Sequence, residues 1–255
     1  MWTTARVQAQ QHLGGQNFRL VLQAPEIAAQ AIPGQFIELS TGGATLLNKP
    51  LSIATVTPAA GLLTVVYKAV GPGTRAFVQY PIGHEVRVLG PCGNGFALPS
   101  APCYAVGGGI GIPPLFFLAE RAAQPVAVIL GARSADGLVL VDDFTRHTQV
   151  TLTLTTDDGS CGLKGFVTDA LTPLLRAERR PVYACGPVPM LAAVARVCAE
   201  YATPLWVCLE AYMGCGIGVC MGCVVPTVRG MERVCHEGPV FLGTDILWEQ
   251  MGMQV

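Results

Sequence analysis

Four cysteines near the end of the chain restrict its folding more than any other feature. Residues 210–241 read EAYMGCGIGVCMGCVVPTVRGMERVCHEGPVF, and Cys215, Cys220, Cys223 and Cys235 are spaced C-x4-C-x2-C-x11-C. A C-x4-C-x2-C run completed by a later cysteine is the ligand spacing of a [2Fe–2S] centre held by four thiolates. Soft sulfur ligands suit iron. Gly214, Gly216, Gly218 and Gly222 interleave with the first three cysteines. Such a loop can wrap closely and aim backbone N–H groups at sulfur. No Lys or Arg occurs between residues 210 and 226, so amides must carry most of the local stabilisation of thiolate charge. Two blander readings compete. Zinc sites usually use paired C-x2-C elements, and one such pair is present here, Cys220 and Cys223. Buried free cysteines are common small apolar residues, but they have no reason to alternate with glycine. The iron–sulfur reading is preferred.

The other six cysteines, Cys92, Cys103, Cys161, Cys185, Cys198 and Cys208, are scattered. Ten cysteines behind a start, MWTTARVQAQQHLGG, that lacks an apolar run point to a reducing compartment, the cytoplasm. Charged residues make up 13% of the 255, against about 25% in ordinary domains. The net charge of −1 suggests neither nucleic acid nor an anionic membrane surface as partner. So little surface charge implies that a permanent protein partner covers part of the surface. The best candidate for a membrane span, YAVGGGIGIPPLFFLA at 104–119, is too short and is broken by glycines and prolines.

The pattern predicts a multidomain chain. Residues 1–98 hold apolar and β-branched runs at 18–22, 35–40, 62–69 and 85–89 between Gly/Pro turns, with one short helix near 73–80. This spacing predicts an antiparallel β-barrel. Residues 99–205 alternate apolar runs (102–106, 126–130, 150–155, 182–184) with helical spacing (115–123, 168–177, 190–201). That predicts an α/β domain on a parallel sheet. Residues 206–255 form a small C-terminal cluster domain. Roughly fifty residues make a weak core alone, and metal bonds would tie the loops together.

Several stretches could bind cofactors. Lys49, Pro50, Leu51 and Ser52 (NKPLSI) bring a cation and a hydroxyl to a short strand, a candidate anion and flavin contact. Val66, Tyr67 and Lys68 add a second cation, and the GPGT loop with Gly73 and Thr74 can offer N–H groups to a phosphate. Each alone reads equally well as a strand end or turn. Gly107, Gly108, Gly109 and Gly111 (GGGIGIPP) follow a strand and open a helix, the context for a pyrophosphate at a helix N-terminus. Ile112 stands where a Rossmann fingerprint has its third glycine. Cys185-Gly186-Pro187, TTDDG with Asp157 and Asp158, and GARS with Arg133 also follow strands, on the edge where open α/β sheets bind ligands. Arg133 suits a 2′-phosphate and Asp136 a 2′-hydroxyl, so NAD and NADP both stay open.

Taken together, KPLSI, GGGIGIPP, GARS, TDDGSCGLKGFVTD and CGPVPM resemble the ferredoxin–NADP reductase superfamily. With GCGIGVCMGC…VCHEGPVF, the whole chain is similar to electron-transfer subunits of B-type dihydroorotate dehydrogenases. The resemblance implies FAD on the barrel, NAD on the α/β domain and one [2Fe–2S] cluster on Cys215, Cys220, Cys223 and Cys235. It implies FAD contacts from Lys49, Pro50, Leu51, Ser52, Val66, Tyr67, Lys68, Gly73 and Thr74, with Ser52 near the flavin ring. It also places Cys185, as a catalytic residue, beside the nicotinamide. The family usually has Arg where Lys49 stands, so a point charge replaces a bidentate fork here. The implied partner is an FMN-containing dihydroorotate dehydrogenase catalytic subunit, in a heterotetramer. Electrons would pass from its FMN through the cluster and FAD to NAD+ as dihydroorotate becomes orotate. Related systems linked to ferredoxin, hydrogenase or sulfite reductase are the alternative; the ferredoxin-linked relatives look to use aspartate at the position of Cys215. A non-catalytic zinc module would explain the cysteines but not the glycine turn or CGP.

Overall fold

The structure is a computed structural model and describes residues 1–251; residues 252–255 of the expected third segment lie outside the described residues. Strands β1 (Trp2–Gly14), β2 (Asn17–Gln23), β3 (Phe36–Leu39), β4 (Lys49–Thr57), β5 (Leu62–Lys68) and β6 (Glu85–Cys92) close into a barrel in the order β1-β2-β5-β4-β3-β6. Every neighbouring pair is antiparallel. Period-2 alternation fills the interior: Leu20 and Leu22, Ile37 and Leu39, Leu63 and Val65 point inward. Helix α1 (Pro25–Gln30) links β2 to β3 and α2 (Pro72–Phe77) links β5 to β6. The sequence pattern foresaw α2 but neither α1 nor β1. In β1 only Ala5 and Val7 are buried among thirteen residues, so its alternation is too polar to read.

The second unit begins with β7 (Cys103–Gly108), α3 (Ile112–Arg121), β8 (Val126–Ala132), α4 (Val141–Thr145) and β9 (Val150–Thr156). It continues through β10 (Leu163–Lys164), α5 (Val167–Ala177), β11 (Val182–Cys185), α6 (Val188–Glu200) and β12 (Leu205–Cys208). A hairpin, β13 (Val224–Thr227) and β14 (Gly230–Arg233), precedes the last strand, β15 (Val240–Leu242). The sheet order is β10-β9-β8-β7-β11-β12-β15, parallel except for β15. The strand order reverses between β7 and β11, the switch point where such sheets bind ligands. All six β7 residues are buried, as expected for a strand covered on both faces.

Neither expected boundary is a clean break in packing. Phe117 of α3 inserts into the barrel core, and Thr55 Oγ1 donates to Glu120 Oε2 at 2.5 Å. The expected boundary at 205/206 falls inside β12, and β15 returns to pair with β12. The cluster segment also has no core of its own. Cys223, Val225, Val234, Cys235 and Phe241 pack in one cluster with Phe36 and Leu89 of the barrel and Leu205 and Val207 of the sheet. Asn94 fastens this junction. Its Nδ2 donates to Glu237 O (2.6 Å) and Val240 O (3.3 Å), its Oδ1 accepts from Val240 N (3.0 Å), and its N–H reaches Gly238 O (2.7 Å). Asn94→Ala removes the three side-chain bonds, each worth about 1 kcal/mol net. A loss of ~1–3 kcal/mol in chemical denaturation is expected, and an unchanged midpoint would refute the clamp.

Candidate functional site

The site is built where barrel, sheet end and cysteine loop meet. On β4 the alternation separates the KPLSI residues. Leu51 and Ile53 enter the barrel core, Pro50 and Ser52 are half-buried on the other face, and Lys49, on the Leu51 side of the pleat, is half-buried at the strand's start. Lys49 extends toward α2: a Cβ on Gly73 would lie 2.6 Å from Lys49 Cε and 3.0 Å from Thr41 Cγ2. A cation and the first-turn N–H groups of α2, which no earlier carbonyl of that helix serves, therefore converge on one spot suited to phosphate. Thr41 and Thr45, joined through their hydroxyls at 3.1 Å, frame this spot; sequence reasoning missed both. Thr74 Oγ1 accepts from Val70 N (3.1 Å) and Gly71 N (3.2 Å), so its hydroxyl shapes the loop.

On β5 the same alternation divides Val66, Tyr67 and Lys68. Val66 joins the core cluster shared with α3 and Ala54, and Lys68 is exposed. Tyr67 does not share a face with them. Its ring lies inside the barrel against Phe18 (5.7 Å, stacked) and Phe77 (5.5 Å, edge-on). The side chains of Tyr67 and Leu51 thus point into the barrel core, away from the face that Val66 and Lys68 present. The cause is the pleat, which sends successive side chains to opposite faces.

At the switch point the glycine turn and CGP touch. A Cβ on Gly111 would fall 2.5 Å from both Cys185 C and Gly186 N. Gly107 pairs with Cys185, and Gly108 pairs with Gly131, so these residues line one carboxyl edge. Gly109 sits at φ +53° to turn the chain into α3. Cys185 reaches the expected edge, but its side chain is fully buried. A hydrogen bond with Cys208, and then burial, hold its thiol well above the ordinary range. The thiol is enclosed in the core cluster that holds Cys208 and Phe96, and the backbone of Cys185 and Gly186 meets the glycine turn. The loops after β8 and β9 also meet: Asp158 N donates to Arg133 O at 3.2 Å and Ala135 N to Ser160 Oγ at 2.8 Å. Arg133 and Asp136 are exposed there, and Asp136 O accepts from Asn17 Nδ2 of the barrel at 2.8 Å.

The four cysteines of the C-terminal loop come together as two pairs. Cys220 N donates to Cys215 Sγ (3.4 Å), and Cys235 N donates to Cys223 Sγ (3.4 Å). Gly218 N reaches Cys235 Sγ (3.1 Å) and Val219 N reaches Cys215 Sγ (3.3 Å), which ties one pair to the other. Burial alone would raise the Cys215 thiol, but the N–H groups of Ile217, Cys220 and Val219 outweigh it and bring it down to about 6. Burial, and then the Cys223 thiol, push Cys235 up to about 12. Among the described residues no three His, Cys, Asp or Glu side chains close around a single metal position. Two thiol pairs bridged by amide donors suit two irons taking two thiolates each better than one four-coordinate zinc.

One residue links this loop to the barrel. Glu38 on β3 is 2% exposed, and its Oε1 has no hydrogen-bond partner. A Cβ on Gly216 would lie 2.7 Å from Glu38 Cγ. Burial, then the negative Cys215, push its carboxyl up to about 7, and Lys49 on the other side lowers it. The cysteine loop therefore meets β3 at Glu38, whose pairing with Pro50 sets it next to the Leu39–Lys49 pair. A lone acid inside QFIEL carries no sequence signal of this.

Residues 210–247 match the family model of the iron-sulfur cluster binding domain of dihydroorotate dehydrogenase B. The chain is 34% identical over 257 residues to a dihydroorotate dehydrogenase B (NAD(+)) electron transfer subunit from Desulforamulus reducens, covering 96% of this chain and 98% of the relative. A protein of the same name from Fusobacterium nucleatum is 37% identical over 229 residues, 84% of this chain and 86% of the relative. Among solved structures, one of an NADH-dependent reduced ferredoxin-NADP oxidoreductase superposes with a TM-score of 0.87 at 30% identity, over 98% of this chain and 91% of that one. With the barrel, the reversed sheet and the paired thiols in place, this likeness along nearly the whole length settles the family: the chain belongs to the dihydroorotate dehydrogenase B electron transfer subunits.

Proposed function

We propose that this chain carries electrons between an FMN-containing dihydroorotate dehydrogenase subunit and NAD+, through a [2Fe–2S] cluster and FAD, as dihydroorotate is oxidised to orotate. The observation that carries this reading is the contact of the cysteine loop with β3 at Glu38, beside Lys49. It brings the four-thiol loop onto the strand that pairs with the Lys49–Ser52 segment. FAD, when bound, trades electron pairs with nicotinamide and single electrons with a cluster. We assign FAD to residues 1–98, NAD to residues 99–205 and the cluster to residues 206–255, with β12 and β15 shared between the last two. Lys49 and the amides at Gly73 and Thr74 hold the FAD phosphates. Pro50, Ser52, Val66 and Lys68 line its path, and the main chain of Leu51 and Tyr67 completes it. Gly107, Gly108, Gly109 and Gly111, with the backbone at Cys185, receive the dinucleotide. Cys215, Cys220, Cys223 and Cys235 take the irons.

The surface around the loop supports a protein partner. Tyr212 (97% exposed), Ile217 (54%), Val219 (75%) and Met221 (50%) stand exposed along the loop that carries Cys215 and Cys220, and a run of exposed apolar groups marks an interaction site. Val219→Asp puts a desolvated charge into that contact. Its expected effect is at least tenfold weaker binding of the catalytic subunit in titration calorimetry, with iron and flavin content unchanged; equal affinity would move the interface elsewhere. No helix of the described residues is long and apolar enough to cross a membrane. A chain with ten cysteines, four of them given to a metal, suits a reducing, cytoplasmic setting. The decisive experiment is purification of the complex, with cofactor analysis and assay of NAD+-dependent orotate formation. Stoichiometric zinc without flavin overturns the reading. A flavin and iron–sulfur complex that reduces ferredoxin and not NAD+ with dihydroorotate transfers it to the ferredoxin-linked alternative, which the 0.87 superposition favours.

A further inference from the structure

We infer that Arg233 is a positioning residue for the cluster, acting through the single peptide unit between Gly218 and Val219. The inference rests on the cluster reading above. Arg233 ends β14 and makes a planar fork. Its Nε donates to Glu237 Oε2 at 2.9 Å, its Nη2 to Glu237 Oε1, and its Nη1 to the carbonyl oxygen of Gly218 at 2.5 Å. Glu237 also accepts from the Arg233 N–H at 2.8 Å, which fixes the base of the fork. The Gly218 carbonyl and the Val219 N–H belong to the same peptide, and that N–H donates to Cys215 Sγ at 3.3 Å. A cation on the oxygen of an amide polarises its N–H and strengthens the bond that the N–H makes.

The orientation of this peptide is constrained from three sides. Gly218 has φ +79°, a region side chains rarely enter. A Cβ there would lie 2.9 Å from the Cβ and Cδ2 of His236. Arg233 holds the oxygen from below. The N–H of Gly218 itself reaches Cys235 Sγ at 3.1 Å, so the two peptides that flank Gly218 serve one sulfur of each pair. The loop between residues 210 and 226 has no cation of its own. The charge that assists its amides is borrowed from the hairpin eighteen residues after Cys215. Reduction adds one negative charge to the cluster, so donors to sulfur favour the reduced form and raise its potential.

The test uses the full chain loaded with FAD and cluster. Midpoint potentials come from redox titration followed by electron paramagnetic resonance, and Fe–S stretching frequencies from resonance Raman. Arg233→Gln is expected to shift the potential to more negative values and to raise the stretching frequency of one Fe–S(Cys) bond. Arg233→Lys keeps the charge without a fork that spans Glu237 and Gly218, so it restores only part of both shifts. Glu237→Gln loosens the anchor and shifts both readouts the same way by less, and it decides the matter if Arg233→Gln fails to load a cluster. Unchanged potential and frequencies in a cluster-loaded Arg233→Gln, or Arg233→Lys equal to wild type in both, overturn the inference and leave the functional reading intact. A wild-type chain without iron overturns both.

Discussion

Cys223→Ala yields a chain that keeps FAD, holds no iron, and loses electron transfer to its partner down to background. Cys223 is 2% exposed and sits in the core cluster that joins barrel, sheet and cysteine segment. Its Sγ accepts from Cys235 N, so the replacement removes one ligand and also orphans a buried donor of its own pair. A centre left with three of four thiolates has an open position in a loop with no other cysteine to offer. The structural cost adds to the chemical one, because ligand bonds contribute folding free energy to segments too small to be stable alone. Here the damage is bounded: Val225, Val234 and Phe241 still pack on Phe36 and Leu205. The expected readouts are separate. Iron falls from about two per chain to none, the paramagnetic signal disappears, and NADH-driven reduction of a two-electron dye survives. Full dye activity with orotate formation also intact would show that the cluster lies off the path.

Gly111→Ala is expected to raise the KM for NADH by tenfold or more, with flavin and iron contents unchanged. The added methyl would meet Cys185 C and Gly186 N at 2.5 Å and Cys185 O at 2.6 Å. All three atoms are backbone of a strand end, so no side chain can swing aside to relieve the clash. Overpacking of this kind costs about 1–3 kcal/mol even in cores that adjust, and 1.4 kcal/mol is about tenfold in affinity. Gly109→Ala is the control. Its Cβ would meet nothing within 4 Å, and only its φ of +53° opposes the change, so a smaller effect is expected. NADH titration of dye reduction compares the two. Equal, small effects would mean that the glycine turn and the CGP edge need not approach each other for the dinucleotide to bind.

The local sequence was sufficient for the cysteine loop, the strand–helix alternation and the glycine turn, because each is written in short-range spacing. The glycines between cysteines anticipate amide donors on sulfur, and the structure supplies them from Gly218, Val219 and Cys220. Pleat alternation, equally local, could have placed Tyr67 and Leu51 inside the barrel, but motif matching treats neighbours in a run as one contact. What the tertiary structure alone decided comes from residues distant in sequence. Glu38 meets Gly216, Asn94 meets residues 237–240, Arg233 grips Gly218, and Cys185 is closed off by Cys208. None of these pairs shares a periodicity or a motif. They exist because β12 and β15 complete the sheet and draw the cysteine segment against β3. Spacing fixes which sulfurs one loop can gather, and long-range packing fixes what stands next to them.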